Sequence, residues 1–384
     1  MSYDFIIAGG GIGGTVLAHL LGKAGRKVLV LEKSVAPPTF IRPEGLWPRT
    51  AELLRSILPR KDAGTTWLPL QGLRAFDGQN ELVSIRVDVF QRGGLQLSLT
   101  DPNWTREQLM RLKTFELRRG IEVTSVIKEK SRIAGVKAKS ADGKEEEFLA
   151  PFTIGDDGVN SRVREGCGIP LKTSLFPVDF MTFGFTWPQS LPAATVHLFL
   201  NKKRSKAGFI GLVAMPMPQG KGAALVPARP AALEPNSKAS QIWNEFAASD
   251  ARLTDVIGTR QFPQDLTRVR RPWGHADSYG ANGAALIGDA AHPVSPVGGQ
   301  GANMAVADAS ALADVILSGS KNIVADYERR RRPANERSIN FTRDAARALN
   351  MPAFIVDPMI PVFMRRLKNN FDEVLRTAAN AFQD

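Results

Sequence analysis

The chain runs Tyr3-Asp4-Phe5-Ile6-Ile7-Ala8 and then at once into Gly9-Gly10-Gly11-Ile12-Gly13-Gly14. An apolar strand that stops at a glycine cluster, with helical spacing after it in Thr15 to Leu21, leaves few folds open. Gly25 ends that helix, and Lys27-Val28-Leu29-Val30-Leu31-Glu32 reads as a buried parallel strand. Together they form a βαβ unit of about 30 residues, the setting in which a glycine pattern becomes a dinucleotide fingerprint. Gly9, Gly11, Gly13 and Gly14 allow a tight turn and a close backbone approach, the N-terminus of the helix that follows favours a pyrophosphate, and Ile12 joins the cofactor-binding candidates. Glu32 ends the second strand, where a carboxylate can accept from both hydroxyls of an adenosine ribose; Lys33 beside it joins the cofactor-binding candidates.

A second glycine signal stands almost at the other end: Leu286-Ile287-Gly288-Asp289-Ala290-Ala291-His292-Pro293, then Gly298-Gly299-Gln300-Gly301-Ala302-Asn303. Asp289 follows an apolar strand, Ala284 to Ile287, which places its carboxylate at a strand's C-terminal end, within reach of ribityl hydroxyls. Pro296 and the Gly298 to Gly301 run precede a helix, Ala302 to Ile316. Backbone N–H groups of such a loop can approach the pyrimidine edge of a flavin, and the helix N-terminus stabilises the negative charge of the reduced ring. Pro296, Gly298 and Gly299 are therefore the catalytic candidates of a flavin-facing loop, and Gly288, Gly301, Ala302 and Asn303 join the cofactor set. His292, inside a turn, reads as a structural hydrogen-bonder. One cofactor held at both ends by such distant segments is long, and FAD fits.

Composition narrows the class. The 384 residues are 43% apolar and 23% charged, a globular balance. A single cysteine, Cys167, excludes an internal disulfide and a thiolate zinc cage and fits a reducing cytoplasm; no metal site is expected. No signal peptide is expected, and no apolar run reaches the roughly 18 residues of a spanning helix, so the reading is a soluble, cytoplasmic protein. The net charge of +12 comes from scattered clusters, among them Arg268 to Arg271 and Arg329 to Arg332, without interleaved aromatics. They read as solvated faces and a positive field that attracts anionic cofactors, not as a nucleic-acid surface.

Between the two signals the chain is not a plain βα repeat. Residues 82–100 alternate around Gly93-Gly94 as antiparallel strands, and a helix capped by Thr105 or Asn103 runs to Gly120. Ile121 to Val136 and Val136 to Leu149 read as strands joined at Asp142-Gly143. Further strands follow in 175–227, and the last hundred residues are helical, broken by Pro333, Pro352, Pro358 and Pro361. The fold class expected is α/β (α+β): a Rossmann-like FAD-binding domain with an inserted, mostly antiparallel β-sheet substrate domain and C-terminal helices. The FAD domain takes 1–72, 98–174 and 265–350, the substrate sheet 73–97 and 175–264, and a helical tail 351–384.

Three motifs now stand in one order, and the chain resembles the single-component FAD-dependent aromatic hydroxylases, the para-hydroxybenzoate hydroxylase-like group A flavoprotein monooxygenases. They are the Gly9/Gly11/Gly14 fingerprint with Glu32, the stretch Gly155-Asp156-Asp157-Gly158-Val159-Asn160-Ser161-Arg162-Val163-Arg164, and Gly288-Asp289 with its Ala-Ala-His-Pro continuation. By this resemblance Asp157 and Arg164 position FAD and nicotinamide, Arg42 touches the pyrophosphate and ribityl region, and Arg106 contacts the cofactor from the opposite side. The resemblance also implies reduction by NADPH or NADH, reaction with O2, and oxygen transfer from a flavin C4a-hydroperoxide to an aromatic or polyketide- or quinone-like small molecule. Two other readings stay open: a related reductase of an isoprenoid or polyketide double bond, and a non-catalytic FAD-fold binder.

For the substrate, period-2 spacing puts Met181, Phe183, Phe185 and Trp187 on one face of a strand, with His197 on the next strand and Met215 later. Phe183, Phe185, His197 and Met215 are the substrate-wall candidates, with His197 able to orient a hydroxyl or carbonyl; ordinary inter-sheet core is the competing account of the same residues. No carboxylate clamp stands out, which favours a larger neutral aromatic. The tail from Met351 to Phe371 is apolar and then basic, so a peripheral membrane contact is weighed against a closing helix. A monomer or a homodimer is compatible with all of this.

Overall fold

The structure is a computed structural model, and it describes residues 3–37, 44–58, 67–86, 97–201, 203, 208–235 and 237–350. Its first layer is a six-stranded sheet in the order Gly280–Ala281, Ala284–Leu286, Phe152–Gly155, Phe5–Ala8, Val28–Glu32, Glu116–Arg119. All neighbours are parallel except the first pair. Ile6, Ile7 and Ala8 have no solvent exposure, and Val28 to Leu31 have at most 3%, as a sheet covered on both faces requires. The fingerprint helix Ile12–Lys23 and the helix Gly301–Leu317 pack against each other beside the sheet. Strands far apart in sequence thus lie side by side, with the Gly9, Asp156 and Gly288 turns at their C-terminal ends.

The second layer is a seven-stranded sheet in the order Thr267–Val269, Asp179–Thr186, Lys221–Ala228, Gly211–Met217, Thr195–Leu200, Gly72–Asp77, Asn80–Arg86. Only Thr195–Leu200 against Gly72–Asp77 is parallel. The helices Ala239–Ala248 and Ala251–Ile257 close one face of it, bringing Trp243, Phe246 and Ile257 onto Phe183, Phe199 and Phe209. The mixed α/β architecture expected from the sequence is the one observed. No helix among the described residues is long and apolar enough to cross a membrane.

Several local expectations change. Asn80–Arg86 and Ser98–Thr100 do not pair with each other: the first joins Gly72–Asp77, and the second lies between Glu44–Leu46 and Trp67–Pro69 in a separate three-stranded sheet. The helix after it spans Pro102–Met110, not as far as Gly120, because Glu116–Arg119 is drawn into the parallel sheet beside Val28–Glu32. Its cap is Asp101, whose carboxylate accepts from the N–H groups of Asn103 and Trp104, with Pro102 in the first turn. Ile121 to Leu149 is three strands, Ile121–Glu129, Arg132–Ser140 and Glu145–Leu149, since Lys130-Ser131 makes a second turn. Thr267–Val269 belongs to the seven-stranded sheet, beyond the boundary expected at residue 264.

Pro333 does not end its helix, which runs Ile323–Asn350. Arg331 before the proline and Asn335 after it both bind Oδ1 of Asp308, so one buried carboxylate fixes both halves. That anchorage offsets the backbone hydrogen bond a proline removes. Residues 351–384, with the tail and its remaining prolines, lie outside the described residues.

Trp243 is fully buried among Phe209, Phe246 and Phe262, and its Nε1 donates to the Arg260 carbonyl at 2.8 Å. Trp243→Ala should cost about 3–5 kcal/mol in urea unfolding. A loss below about 1 kcal/mol would mean that this helical layer is not part of the stabilising core.

Candidate functional site

Gly9 has φ +95°, and a Cβ there would stand 2.2 Å from the Asp156 carbonyl oxygen. A Cβ at Gly11 would meet Asp156 Oδ2 at 2.3 Å, and one at Gly13 the Ala305 carbonyl at 3.0 Å. Three chain segments therefore touch at backbone distance, which only glycine permits. The N–H groups of Ile12 and Gly13, in the helix's first turn, have no intrahelical acceptor.

Glu32 and Arg106, both expected at the cofactor, meet each other. Glu32 Oε2 accepts from Gly10 N at 2.7 Å and pairs with Arg106 Nη2 at 2.8 Å, while Ser34 N donates to Oε1 at 2.8 Å. Arg106 Nε also donates to the Gly10 carbonyl at 2.7 Å. Burial alone would raise the Glu32 pKa; Arg106 and the two backbone donors outweigh it and hold the carboxyl below its usual range. Lys33 is exposed at the strand's end. Arg42 lies outside the described residues.

The turn after Phe152–Gly155 divides its work between two adjacent aspartates. Asp157 Oδ2 accepts from Arg162 N at 2.7 Å and Val163 N at 3.1 Å, starting the helix Arg162–Gly166. Arg164 is buried; it donates to the carbonyls of Val159 at 2.8 Å and Ala290 at 3.0 Å, tying this turn to the one that follows Gly288. Burial pushes Asp157 up and Arg164 down from their ordinary values. Both are builders of the turn. The residue that faces the glycine loop is Asp156, which sequence reasoning quoted but did not select. Its Oδ2 accepts from Gly14 N at 2.8 Å, and its Oδ1 would lie 3.3 Å from a Cβ on Gly288. Two adjacent aspartates look alike in sequence; the backbone path decides which one points into the cleft.

The Gly288 turn, φ +56°, hangs on Asp308, which is fully buried. Asp308 Oδ2 accepts from Gly288 N at 3.1 Å and His292 Nε2 at 2.5 Å, and Oδ1 from Arg331 Nε at 2.9 Å and Asn335 Nδ2 at 3.1 Å. Burial would raise this carboxyl, but His292, Arg331 and Asn335 drive it well below the usual range. Asp289 pairs with Arg271 Nη1 at 2.8 Å, both partly exposed. Arg271 was read only as part of a solvated basic run; its approach to Asp289 carried no sequence signal. Gly298 and Gly299 are exposed at φ +80° and +62°, after the half-buried Pro296, and Gly301 and Ala302 open the helix. Asn303 fastens this loop: Nδ2 donates to the Gly45 and Gly299 carbonyls at 2.8 Å each, and Oδ1 accepts from Trp47 N at 2.9 Å.

The substrate-wall candidates separate. Cross-strand partners share a face of a sheet, and the register aligns Phe183, Ala224, Ala214, His197 and Arg74 on one face. That face is the one the helices close. Phe183 and Phe185 are 6% and 9% exposed in its core, and His197 is fully buried, its ring parallel to those of Phe76 and Phe199, which also stack on each other. These three do not reach the cleft. Met215 does not share their face. It lies with Val213, Leu225, Thr182 and Leu198 on the opposite side, toward Val297 and Trp273 at one end and Trp47 and Leu68 at the other. The aromatic side of the alternation is core because flat rings fill the space beneath two helices; on the opposite side Leu198, Val213, Met215 and Leu225 stay half-buried.

The residues fit a dinucleotide. The glycine contacts form a cradle that any Cβ would fill, open first-turn N–H groups stand above it, and Glu32 and Asp289 flank its two ends. The sequence profile of the FAD binding domain family matches residues 2–342. A ubiquinone hydroxylase, UbiL, of Rhodospirillum rubrum is 25% identical over 347 residues, covering 86% of this chain and 78% of that protein. A rifampicin monooxygenase of Streptomyces venezuelae is 29% identical over 355 residues, covering 89% and 70%. Among solved structures, the p-nitrophenol 4-monooxygenase PnpA of Pseudomonas putida superposes with a TM-score of 0.77 at 19% identity, over 99% of this chain and 96% of that one.

Two measurements check this geometry. Gly9→Ala places a methyl 2.2 Å from a backbone oxygen at a left-handed φ, so FAD uptake, followed by flavin fluorescence, should fall at least roughly tenfold. Unchanged uptake would show that the loop does not need this close approach. For His197, burial lowers the pKa to about 4. Between that value and the unfolded one the unfolded chain binds the extra proton, so stability should fall as pH drops from about 6.5 toward 4. His197→Phe should flatten part of this slope in urea unfolding, the remainder including His275, lowered to about 4 by burial and the neighbouring His292 and Arg332.

Proposed function

The chain belongs to the FAD binding domain family, and from that premise we propose that it is an FAD-dependent monooxygenase. It takes electrons from NADPH or NADH and inserts one atom of O2 into an aromatic or quinone-like small molecule. The observation that carries this reading is the meeting of the Gly9–Gly14 loop, the Asp156 turn and the Gly288 turn at close contact, with Val297 of the loop that follows in one apolar cluster with Leu225 of the seven-stranded sheet. Two of the similar proteins are named for hydroxylation of ubiquinone and oxygenation of rifampicin, which supports a bulky ring substrate.

In this reading the six-stranded sheet and its helices are the cofactor domain, and the seven-stranded sheet is the substrate domain. The glycine loop and the first-turn N–H groups of Ile12 and Gly13 hold the diphosphate, Glu32 the adenosine ribose and Asp289 the ribityl chain. Bound FAD would supply electron storage and oxygen activation. The loop from Pro296 to Gly299, fastened by Asn303, would offer its backbone and the N-terminus of Gly301–Leu317 to a bound flavin and favour negative charge there. Thr182, Leu198, Val213, Met215 and Leu225 are uncharged, and with Trp47 and Val297 nearby they would seat a flat neutral ring and keep water from it.

The protein should purify yellow, oxidise NADPH or NADH faster when a suitable phenol or quinone-like compound is present, and transfer label from 18O2 to the product. A colourless protein that takes up no FAD would overturn the reading. Met215→Trp should raise KM or uncouple turnover by roughly tenfold or more while leaving FAD content unchanged. Gly299 has open space for a side chain but φ +62°, so Gly299→Val adds strain of about 1–3 kcal/mol without a clash. Flavin reduction should slow in that variant by roughly tenfold or more, while the unfolding midpoint falls only by the few degrees that such strain implies.

A further inference from the structure

Asp156 occupies the place in the cleft where an anion would otherwise be welcome. Its carboxyl takes Gly14 N, one of the first-turn donors of the fingerprint helix, at 2.8 Å, and lies against Gly11, Gly14 and Gly288. Its own backbone is pinned: Asp156 N donates to the Ala8 carbonyl at 2.8 Å, and its carbonyl lies beneath Gly9. The side chain therefore cannot leave without moving the turn that builds the cradle. A dinucleotide brings two negative charges to this same helix end, and an ionised carboxylate there would repel them.

We propose that Asp156 makes FAD binding proton-linked: the cofactor is held with this carboxyl protonated, so that binding takes up a proton and affinity falls as pH rises. This inference rests on the FAD-dependent reading above and concerns a residue that neither the glycine fingerprint nor Asp157 accounts for. The charged neighbours agree with it. On its own turn stands Asp157, on the Gly288 turn Asp289 paired with Arg271, and on the helix Pro102–Met110 Arg106, whose charge is already committed to Glu32 of the neighbouring strand. The first turn of the fingerprint helix, Ile12 to Thr15, and Ala305 on the facing helix carry no charged side chain; Lys23 stands at the far end of that helix. Burial, then the Asp157 and Asp289 carboxylates, already push Asp156 well above the ordinary value before any cofactor arrives; Gly14 N and Arg106 oppose them. The phosphates would push it further, and a group whose pKa rises on binding makes binding weaker at higher pH.

The test is FAD titration of the flavin-stripped full chain by fluorescence between about pH 5.5 and 9, repeated with ADP-ribose, which lacks the flavin. Wild-type Kd should rise with pH, approaching about tenfold per unit where the group titrates, for both ligands. Asp156→Asn keeps an oxygen acceptor for Gly14 N and removes the charge; it should bind FAD more tightly above neutral pH, with a nearly flat profile. Asp156→Ala should be flat as well, whatever its effect on stability, which is read separately by thermal unfolding. A wild type that binds FAD with no pH dependence, or an Asp156→Asn variant that keeps the wild-type slope, would overturn the proposal and leave the FAD-dependent reading standing. Failure of every variant to bind FAD would overturn both.

Discussion

The site depends on one constraint: the chain leaving the strand Phe5–Ala8 must turn at Gly9 with its backbone against the backbone of Asp156. The two segments are far apart in sequence, joined only because Phe5–Ala8 and Phe152–Gly155 are neighbours in a parallel sheet. At 2.2 Å from a would-be Cβ to a carbonyl oxygen, no side chain fits. From this contact follow the open helix N-terminus, the exposure of its first-turn donors to the cleft, and the position of the Asp156 carboxyl inside it.

A second anchor sets the far side. Asp308 holds Gly288 N, His292, Arg331 and Asn335 in one dry cluster, fixing the turn that carries Asp289 and bridging the two long helices behind it. Removing one partner from such a cluster leaves an unpaired buried charge, which is far more costly than never having built it. Asn303 does comparable work nearer the surface, joining the Gly299 loop to Gly45 and Trp47. Several residues expected to contact the cofactor, among them Asp157, Arg164 and Asn303, spend their hydrogen bonds on the protein. They hold the loops that hold the ligand.

The cleft is therefore a balance of charges rather than a simple basic pocket. Glu32, Asp156 and Asp289 border a site proposed for a dianionic linker, with Asp157 in the turn behind it and Arg106 and Arg271 each paired to one of the carboxylates. The overall charge of +12 provides a favourable field for anions at long range. At close range, backbone N–H groups and, under the proposal above, the protonation of Asp156 have more influence, because short distances and partial burial weaken screening.

By itself the sequence determined the βαβ start, the Gly288–Asp289 loop, the family resemblance and the α/β class, because each rests on local spacing of glycines, apolar residues and acids. Register and contact remained for the tertiary structure. Alternation put Phe183, Phe185 and His197 on one face, but only pairing with Lys221–Ala228 and Gly211–Met217, together with the two covering helices, shows that face to be closed and Met215 to lie opposite. Asp101 as a cap, a helix that continues through Pro333, Arg271 beside Asp289 and Asp156 beside Gly14 are likewise long-range or path-dependent facts. A chain's local pattern fixes which elements form; which of two adjacent side chains enters a cleft depends on the angle at which those elements pack.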